Sequence, residues 1–235
     1  MSIGGQPLGR PRLHLRSVGS TNQRARELAA AGAPHGALVT AAEQTAGRGR
    51  QGRRWVAPPG RALLMSLVLR EWPRLLPLAA GVAVAEECGA EASIKWPNDV
   101  LIEGRKVAGT LAEGRPREGW IVLGVGFNVA LRAAELPAEL RPMATGLGRP
   151  PEMLEPSLAS VLDRLGRWLT ATAGEILDAI RARDALAGRD VSWDGGSGVA
   201  AGIDDEGRLV VDTPAGRLAL GAGEVHLGAT DAATG

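Results

Sequence analysis

Residues 92–113, ASIKWPNDVLIEGRKVAGTLAE, carry the strongest structural pattern of the chain. Apolar residues recur on both sides of Glu103-Gly104, which is typical of two strands joined by a hairpin turn. The stretch also contains Lys95 and Lys106, the only lysines of the chain. All the remaining residues among the 27 basic ones are arginine. Because lysine carries a compact ammonium and arginine a planar fork, the lysines indicate a site where two ligands come close together. The alternative is that they are remnants of a biased composition.

Helical and strand patterns alternate along the rest of the chain. Ser20 followed by Gln23 has the spacing of a capping box, and the alanine-rich stretch after it predicts a helix that ends at Gly32. Further helices are predicted over 75–88, 153–172 and 175–186, and strands over 13–18, 37–44, 62–70, 92–99, 100–103, 105–113 and 120–130.

The sequence changes in character near its C-terminus. From residue 191 onward, short apolar runs are separated by Gly, Asp and Pro turns, which is typical of a small β-barrel of the SH3-like kind. We therefore predict four parts in the chain. They are an N-terminal segment over 1–12 that we expect to be mobile, a large domain over 13–186, the barrel over 187–228 and a tail over 229–235.

Composition argues against several classes of protein. The formal net charge of +1 does not mark the whole chain for nucleic acid or an acidic membrane. No apolar run approaches the roughly 20 residues that span a bilayer. Cys88 is the only cysteine and is expected to pack as a small apolar residue. Together with a start unlike a signal peptide, this predicts a cytoplasmic protein. The three histidines show no metal-ligand spacing.

Residues 45–61, TAGRGRQGRRWVAPPGR, show no periodicity and predict a basic loop. No acidic residue occurs between Glu43 and Glu71. The loop contains five guanidinium groups that can donate pairs of hydrogen bonds to phosphate or carboxylate, and its glycines allow close approach to a ligand. The alternatives are a solvated basic loop or a non-specific nucleic-acid patch. The loop lacks the GxxxxGK[ST] pattern of a P-loop. The arginines are Arg48, Arg50, Arg53, Arg54 and Arg61.

Five blocks of the sequence together resemble one family. They are GSTN at 19–22, EQTAGRGRQGR at 43–53, KWPND at 95–99, RKVAGTLAE at 105–113 and GVGFNV at 124–129. In this order and spacing they resemble the biotin protein ligases, the enzymes that biotinylate carboxylases. The resemblance extends from about Leu13 to Leu227 and implies an α+β fold. Its catalytic domain would be class II synthetase-like, with a mixed sheet and flanking helices, followed by the SH3-like barrel.

The resemblance also implies an ATP-dependent, AMP-forming reaction in two steps. Biotin and ATP would give biotinyl-5′-AMP and pyrophosphate, with Mg²⁺ on the phosphates, and a lysine of a biotin carboxyl carrier protein domain would then take the biotinyl group. Only 18 residues precede Gly19, so we expect no DNA-binding domain and no repressor function. No membrane partner is expected. A homodimer is left open, with VLIE or WIVLGV as a candidate edge strand.

Site residues follow from the match of individual blocks. The resemblance assigns catalytic roles to Lys106, Arg48 and Arg50, and an electrostatic role to Lys95, but it assigns no metal ligand. The biotin-binding residues it implies are Ser20, Thr21, Asn22, Gln44, Gly47, Arg48, Gly49, Arg50, Lys106, Gly109 and Leu111. The ATP-binding residues it implies are Arg50, Trp55, Asn98, Lys106 and Asn128.

Two other functions stay open on the sequence alone. A lipoate-type acyl-carrier ligase would share the fold, but it should lack GRGRQGR combined with KWPND. A non-enzymatic module that binds anions or nucleic acid would use the arginine loop only. The near-neutral charge and the scarcity of aromatic residues for base stacking argue against the second of these.

Overall fold

A computed structural model describes residues 7–221 and 225–227, and its larger part is built on a seven-stranded sheet. The strand order is β1-β2-β3-β7-β6-β5-β4. The first two strands are parallel and all other neighbours are antiparallel, so the sheet is mixed, as expected. The strands are β1 (Arg12–Leu15), β2 (Leu38–Ala41), β3 (Leu63–Leu69), β4 (Ser93–Lys95), β5 (Asp99–Ile102), β6 (Arg105–Arg115) and β7 (Trp120–Phe127).

The hairpin predicted from the opening stretch joins β5 to β6. Glu103 and Gly104 have φ angles of 50° and 73°, so both lie in the left-handed region that a two-residue turn of the mirror-image type requires. Glycine adopts that conformation without steric cost. The turn prediction is confirmed, and it pairs Lys106 with Leu101 and Gly109 with Asp99 across the hairpin.

Helices cover both faces of the sheet. They are α1 (Thr21–Ala30), α2 (Leu76–Cys88), α3 (Leu154–Thr170) and α4 (Ala173–Arg181). The apolar side of α1 packs with Val68 and Val122 in one core cluster, whereas α2, α3 and α4 pack in a larger cluster with Leu67 and Leu123. Because neighbouring strand residues point to opposite faces, the two clusters lie on opposite sides of the sheet.

The Ser20 half of the capping box predicted for α1 is confirmed. The Ser20 side chain accepts a hydrogen bond from the Gln23 backbone N–H, and Ser20 itself is extended. This cap satisfies one of the free donors of the first turn. It also fixes Thr21 and Asn22 at the start of the helix, where it meets the sheet.

Two expectations about the elements were wrong. The fourth helix ends at Arg181 rather than at residue 186, because the chain then pairs with β4: the Ile94 N–H donates to the Arg183 carbonyl at 2.7 Å, and the Ala185 N–H donates to the Ile94 carbonyl at 3.0 Å. Pairing covers the otherwise open edge of the sheet. VLIE and WIVLGV are not edge strands either, since β5 and β7 both lie inside the sheet.

The C-terminal part forms a separate antiparallel sheet with the order β11-β10-β9-β8-β12. The Trp96 indole N–H donates to the Gly207 carbonyl at 3.0 Å, which connects this sheet to the segment between β4 and β5. Within the described ranges, no helix has the length and apolar character needed to cross a membrane. The strands are β8 (Asp190–Trp193), β9 (Gly196–Ile203), β10 (Leu209–Thr213), β11 (Gly216–Leu220) and β12 (Val225–Leu227).

Candidate active site

A cleft of about 330 Å³ opens between the start of α1, the loop 45–61, the β4–β5 connection and the segment 133–149. Strands β6 and β7 form its floor. All but one of the site residues predicted from the sequence line this cleft. They are Ser20, Thr21, Asn22, Gln44, Arg48, Gly49, Arg50, Trp55, Lys95, Asn98, Lys106, Gly109, Leu111 and Asn128.

Gly47 is the exception, and the structure gives it a different role. A Cβ at this position would lie 2.5 Å from the Trp55 carbonyl oxygen and 3.1 Å from the Gln44 amide nitrogen. Trp55 also donates its backbone N–H to the Gly47 carbonyl at 3.1 Å. The glycine therefore lets the two arms of the loop approach closely, and it does not face the cleft.

Three uncharged polar residues of the cleft lining, Thr21, Asn22 and Gln44, lie together with the buried Ser66, which is not a lining residue. The Gln44 side-chain oxygen accepts from the Thr21 backbone N–H at 2.7 Å and lies 2.9 Å from the Thr21 hydroxyl. The Ser66 hydroxyl lies 2.6 Å from Asn22 Oδ1 and 2.8 Å from Thr21 Oγ1. Thr21, Asn22 and Ser66 are buried, so these groups are held in fixed positions by one another. We call Thr21, Asn22, Gln44 and Ser66 the polar cluster.

Sequence reasoning missed Ser66, although one signal was available. It is the single polar residue of β3, LLMSLVL, and it is fully buried there. A buried hydroxyl in an apolar strand needs a hydrogen-bond partner, and the polar cluster supplies it.

Glycines on β7 make room for the residues that face the cleft. A Cβ at Gly124 would overlap the Asn22 side-chain oxygen, and a Cβ at Gly126 would lie 2.6 Å from the Trp55 ring. The sequence motif GVGFNV showed the glycines but not their partners, because these come from α1 and from the loop. Trp55 can contact the backbone of β7 closely because Gly126 has no side chain.

Positive charge lines the cleft from the loop 45–61, the end of β4 and the start of β6, and we call the part around Lys106 and Asp99 its cationic end. Lys106 Nζ lies 2.7 Å from Asp99 Oδ1 and 5.6 Å from the centroid of the Trp55 ring. Among the described lining residues, Asp99 is the single carboxylate facing six cations. The cations are Arg48, Arg50, Arg53, Arg54, Lys95 and Lys106.

The cost of burying positive charge is visible in two of these groups. Burial lowers the pKa of Lys95; Asp99 opposes the shift, while Arg53 and Lys106 add to it. Burial also lowers the pKa of the Arg50 guanidinium, which donates to the Asn98 side-chain oxygen at 3.2 Å. Both shifts mean that the site carries a cost for its own positive charge, which an anionic ligand would relieve.

The segment 133–149 adds an apolar wall that the sequence analysis did not identify. Leu136, Leu140 and Met143 line the cleft, and Met143 remains 62% exposed. The backbone of Lys106 is held by this segment, since its N–H donates to the Met143 carbonyl at 2.8 Å and its carbonyl accepts from Thr145 at 2.9 Å. The wall and the lysine are therefore one structural unit.

Comparison with known proteins agrees with this geometry. The Biotin/lipoate A/B protein ligase family matches residues 15–128, and the Biotin protein ligase C terminal domain matches residues 196–228. A Mycobacterium tuberculosis protein named Biotin--[acetyl-CoA-carboxylase] ligase is 37% identical, and the match covers 89% of this chain and 86% of that protein. A Paracoccus denitrificans protein of the same name is also 37% identical, with 91% and 99% covered.

The chain belongs to the biotin protein ligase family. Other relatives are longer: the match to the Bifunctional ligase/repressor BirA of Bacillus subtilis is 41% identical and covers 56% of this chain but 44% of that protein. The chain thus spans about half the length of such relatives. Among solved structures, the biotin protein ligase from Aquifex aeolicus in complex with biotin and ATP is similar, with a TM-score of 0.80 and 29% identity. That match covers 93% of this chain and 98% of the other.

Proposed function

We propose that this biotin protein ligase activates biotin with ATP and transfers the biotinyl group to a lysine of a biotin carboxyl carrier protein domain. The observation that carries the proposal is the polarity of the cleft. Its uncharged polar cluster suits a ureido ring, and its cationic end suits a carboxylate that must meet a triphosphate. Biotin is a ligand with an uncharged ring at one end and a carboxylate at the other.

In the first step, a carboxylate oxygen of biotin attacks the α-phosphorus of ATP. The bond between that phosphorus and the oxygen bridging to the β-phosphorus breaks, and pyrophosphate leaves with the electron pair. The two reactants repel each other, so the cations must offset their charge in the cleft. Lys106 is suited to this task because its compact ammonium fits between two anionic groups, and Asp99 holds it at the cleft wall.

Binding of the nucleotide base would use the apolar wall. Leu136, Leu140 and Met143 present aliphatic surface beside the cationic end of the cleft. A planar adenine ring against this wall would leave the phosphates toward the lysine. Orientation of the two reactants then supplies a further part of the acceleration.

Mg²⁺ is expected on the phosphates, and we expect the protein to supply few of its ligands. Among the described residues, no group of three or more His, Cys, Asp or Glu side chains could hold a metal alone. The buried Oδ1 of Asn128 accepts no hydrogen bond within the described ranges, so it is an oxygen ligand available to an ion held mainly by ATP. When bound, Mg²⁺ would neutralise phosphate charge.

In the second step, an uncharged lysine amine of the carrier attacks the acyl carbon of biotinyl-5′-AMP. The anhydride C–O bond breaks, AMP leaves, and the amine loses a proton. We place this reaction in the cytoplasm, in keeping with the lone Cys88. The formal net charge of +1 gives no reason to expect DNA as a partner.

Pyrophosphate release tests the proposal. Purified protein, ATP and Mg²⁺ should release pyrophosphate with biotin but not with lipoate, and added carrier domain should gain one biotinyl group. Turnover with lipoate instead would assign the chain to the lipoate branch of the matched family. Binding of an oligonucleotide without turnover of either acid would make it an anion-binding module.

A further inference from the structure

Glu113 on β6 lies between the polar cluster and the arginine loop. It follows Gly109 and Leu111 on the same face of the strand, since alternate strand residues point the same way. Its side chain is 21% exposed. Unlike Gly109 and Leu111, it does not line the cleft, and the family motif RKVAGTLAE contains it without assigning it a role.

The two carboxylate oxygens of Glu113 have different partners. Oε2 accepts from the Asn22 side-chain amide at 3.0 Å. Oε1 lies 3.4 Å from Arg48 of the loop and 3.8 Å from Arg26 of α1. One side chain thus contacts the helix that carries the polar cluster and the loop that covers the cleft.

The contact with Asn22 also determines which way that amide points. Its nitrogen donates to Glu113 and lies 3.4 Å from the Leu111 carbonyl, while its oxygen lies against the Ser66 hydroxyl. A flipped amide would place its oxygen against a carboxylate and a carbonyl, which are acceptors only. The Glu113 carboxylate therefore keeps the Asn22 oxygen on the side of Ser66.

We propose that Glu113 is a positioning residue that couples the polar cluster to the arginine loop, so that the loop is held over the cleft when the cluster is ordered. This inference takes its ligand from the proposed function. A ureido ring bound at the polar cluster would stabilise the arrangement in which Glu113 contacts Arg48. Arg48 also lies in a cleft lined by further cations, among them Arg50, Arg53 and the two lysines. A carboxylate at this point offsets their repulsion.

Limited trypsin digestion tests the coupling without requiring activity. Glu113→Gln keeps an acceptor for Asn22 but removes the charge that attracts Arg48. We expect cleavage after Arg53 or Arg54 to become about fivefold faster in the ligand-free variant, which corresponds to about 1 kcal/mol because 1.4 kcal/mol is tenfold. Glu118→Gln is the matched control, since its exposed carboxylate pairs with Arg115 in the connection between β6 and β7.

Retention of the adenylate is the second readout. After reaction with biotin and ATP and rapid gel filtration, Glu113→Gln should lose biotinyl-5′-AMP about fivefold faster than the parent, while binding of biotin alone changes less than about twofold. The double variant with Arg48→Ala should lose it no faster than Arg48→Ala alone, because both changes remove one contact. Parent-like loop cleavage in Glu113→Gln, or additive effects in the double variant, would overturn the coupling. A parent that makes no adenylate would contradict the proposed function instead, and the digestion would still decide the role of Glu113.

Discussion

At the cationic end of the cleft, Lys106 forms an ion pair with Asp99. We expect the chemistry to depend more on Lys106 than on any other residue. Lys106→Ala should lower the rate of pyrophosphate release by about 100-fold or more, the scale seen when one stabilising donor is removed from a reacting centre. Lys106→Arg should fail nearly as badly, because a bulky planar fork cannot take the place of the compact ammonium that lies beside Asp99.

The measurement is a steady-state pyrophosphate assay with thermal unfolding as a check on the fold. Arg105→Ala is the matched control, since this neighbouring cation pairs with Glu103 at the hairpin turn and lies outside the cleft. Near-parental turnover by Lys106→Arg would show that a charge alone is sufficient at this position.

Arg50 should retain the reaction intermediate. Its guanidinium joins the loop to the β4–β5 connection through Asn98. A charge-assisted hydrogen bond of this kind contributes roughly 2 kcal/mol. Because ~1.4 kcal/mol corresponds to a factor of ten, Arg50→Gly should release biotinyl-5′-AMP about 30-fold faster. The variant should still form this intermediate, but at a lower rate.

Labelling of a bystander protein measures that release. Serum albumin mixed with Arg50→Gly, biotin and ATP should gain biotin faster than with the parent. Arg61→Gly introduces the same flexibility at the end of the loop, where the side chain pairs with Glu135 instead, and should not increase labelling. Equal labelling by Arg50→Gly and the parent would rule out a retaining role for Arg50.

At the scale of elements, β7 can approach α1 only because Gly124 has no side chain. Gly124→Ala would push a methyl group into the Asn22 side-chain oxygen and disturb the polar cluster. We expect biotin affinity to fall at least tenfold in a calorimetric titration, because the displaced amide loses its hydrogen bonds. Gly166→Ala in α3 is the control, where the methyl group meets open space and should stabilise the helix by roughly 0.5–1 kcal/mol. Unchanged biotin binding in Gly124→Ala would mean that the cluster tolerates displacement.

The junction of α2 and α3 depends on one carboxylate. Burial raises the pKa of Glu87, but hydrogen bonds from Ser160, Arg149 and Ser157 outweigh it, and the net pKa lies below the ordinary 4.5. A lowered carboxyl pKa contributes stability that is present above the unfolded-state pKa and is lost as pH falls through the folded-state pKa.

Glu87→Gln should consequently lower Tm at pH 7 and make less difference as pH falls below about 4.5. Thermal unfolding of the parent and the variant between pH 3 and pH 7 measures this. Glu152→Gln, an exposed carboxylate beside the start of α3, is the control and should shift Tm little at any pH. A Tm difference that stays constant across the range would show that the Glu87 charge is not what stabilises the junction.

For the whole molecule, the near absence of lysine should limit self-modification. Escaping adenylate acylates amines, and this chain offers only Lys95, Lys106 and its N-terminus. Both lysines line the cleft and are partly buried. Mass spectrometry after prolonged incubation with biotin and ATP should find mainly N-terminal adducts. Heavy modification of Lys95 would show that this amine reacts from within the cleft.

Much of the fold was predictable because its signals are local. Capping by Ser20, the turn at Glu103-Gly104 and the apolar runs of the strands each depend on residues close together in sequence, and physical propensities act at that range. The end of α4 was not predictable in this way. Residues 182–186 continue a helical pattern, but pairing with β4 also uses the N–H and carbonyl of Ile94, which another helical turn would not.

By itself, the sequence determined the family, the order of most elements and which motifs belong to one site, because shared blocks such as KWPND and RKVAGTLAE preserve residue type and spacing. Only the tertiary structure decided how those motifs meet. Ser66 reaches Asn22 across 44 positions, and Glu113 joins Asn22 to the arginine loop. Such partners lie on different elements, so their contacts depend on how the sheet stacks the strands and helices, which no local pattern encodes.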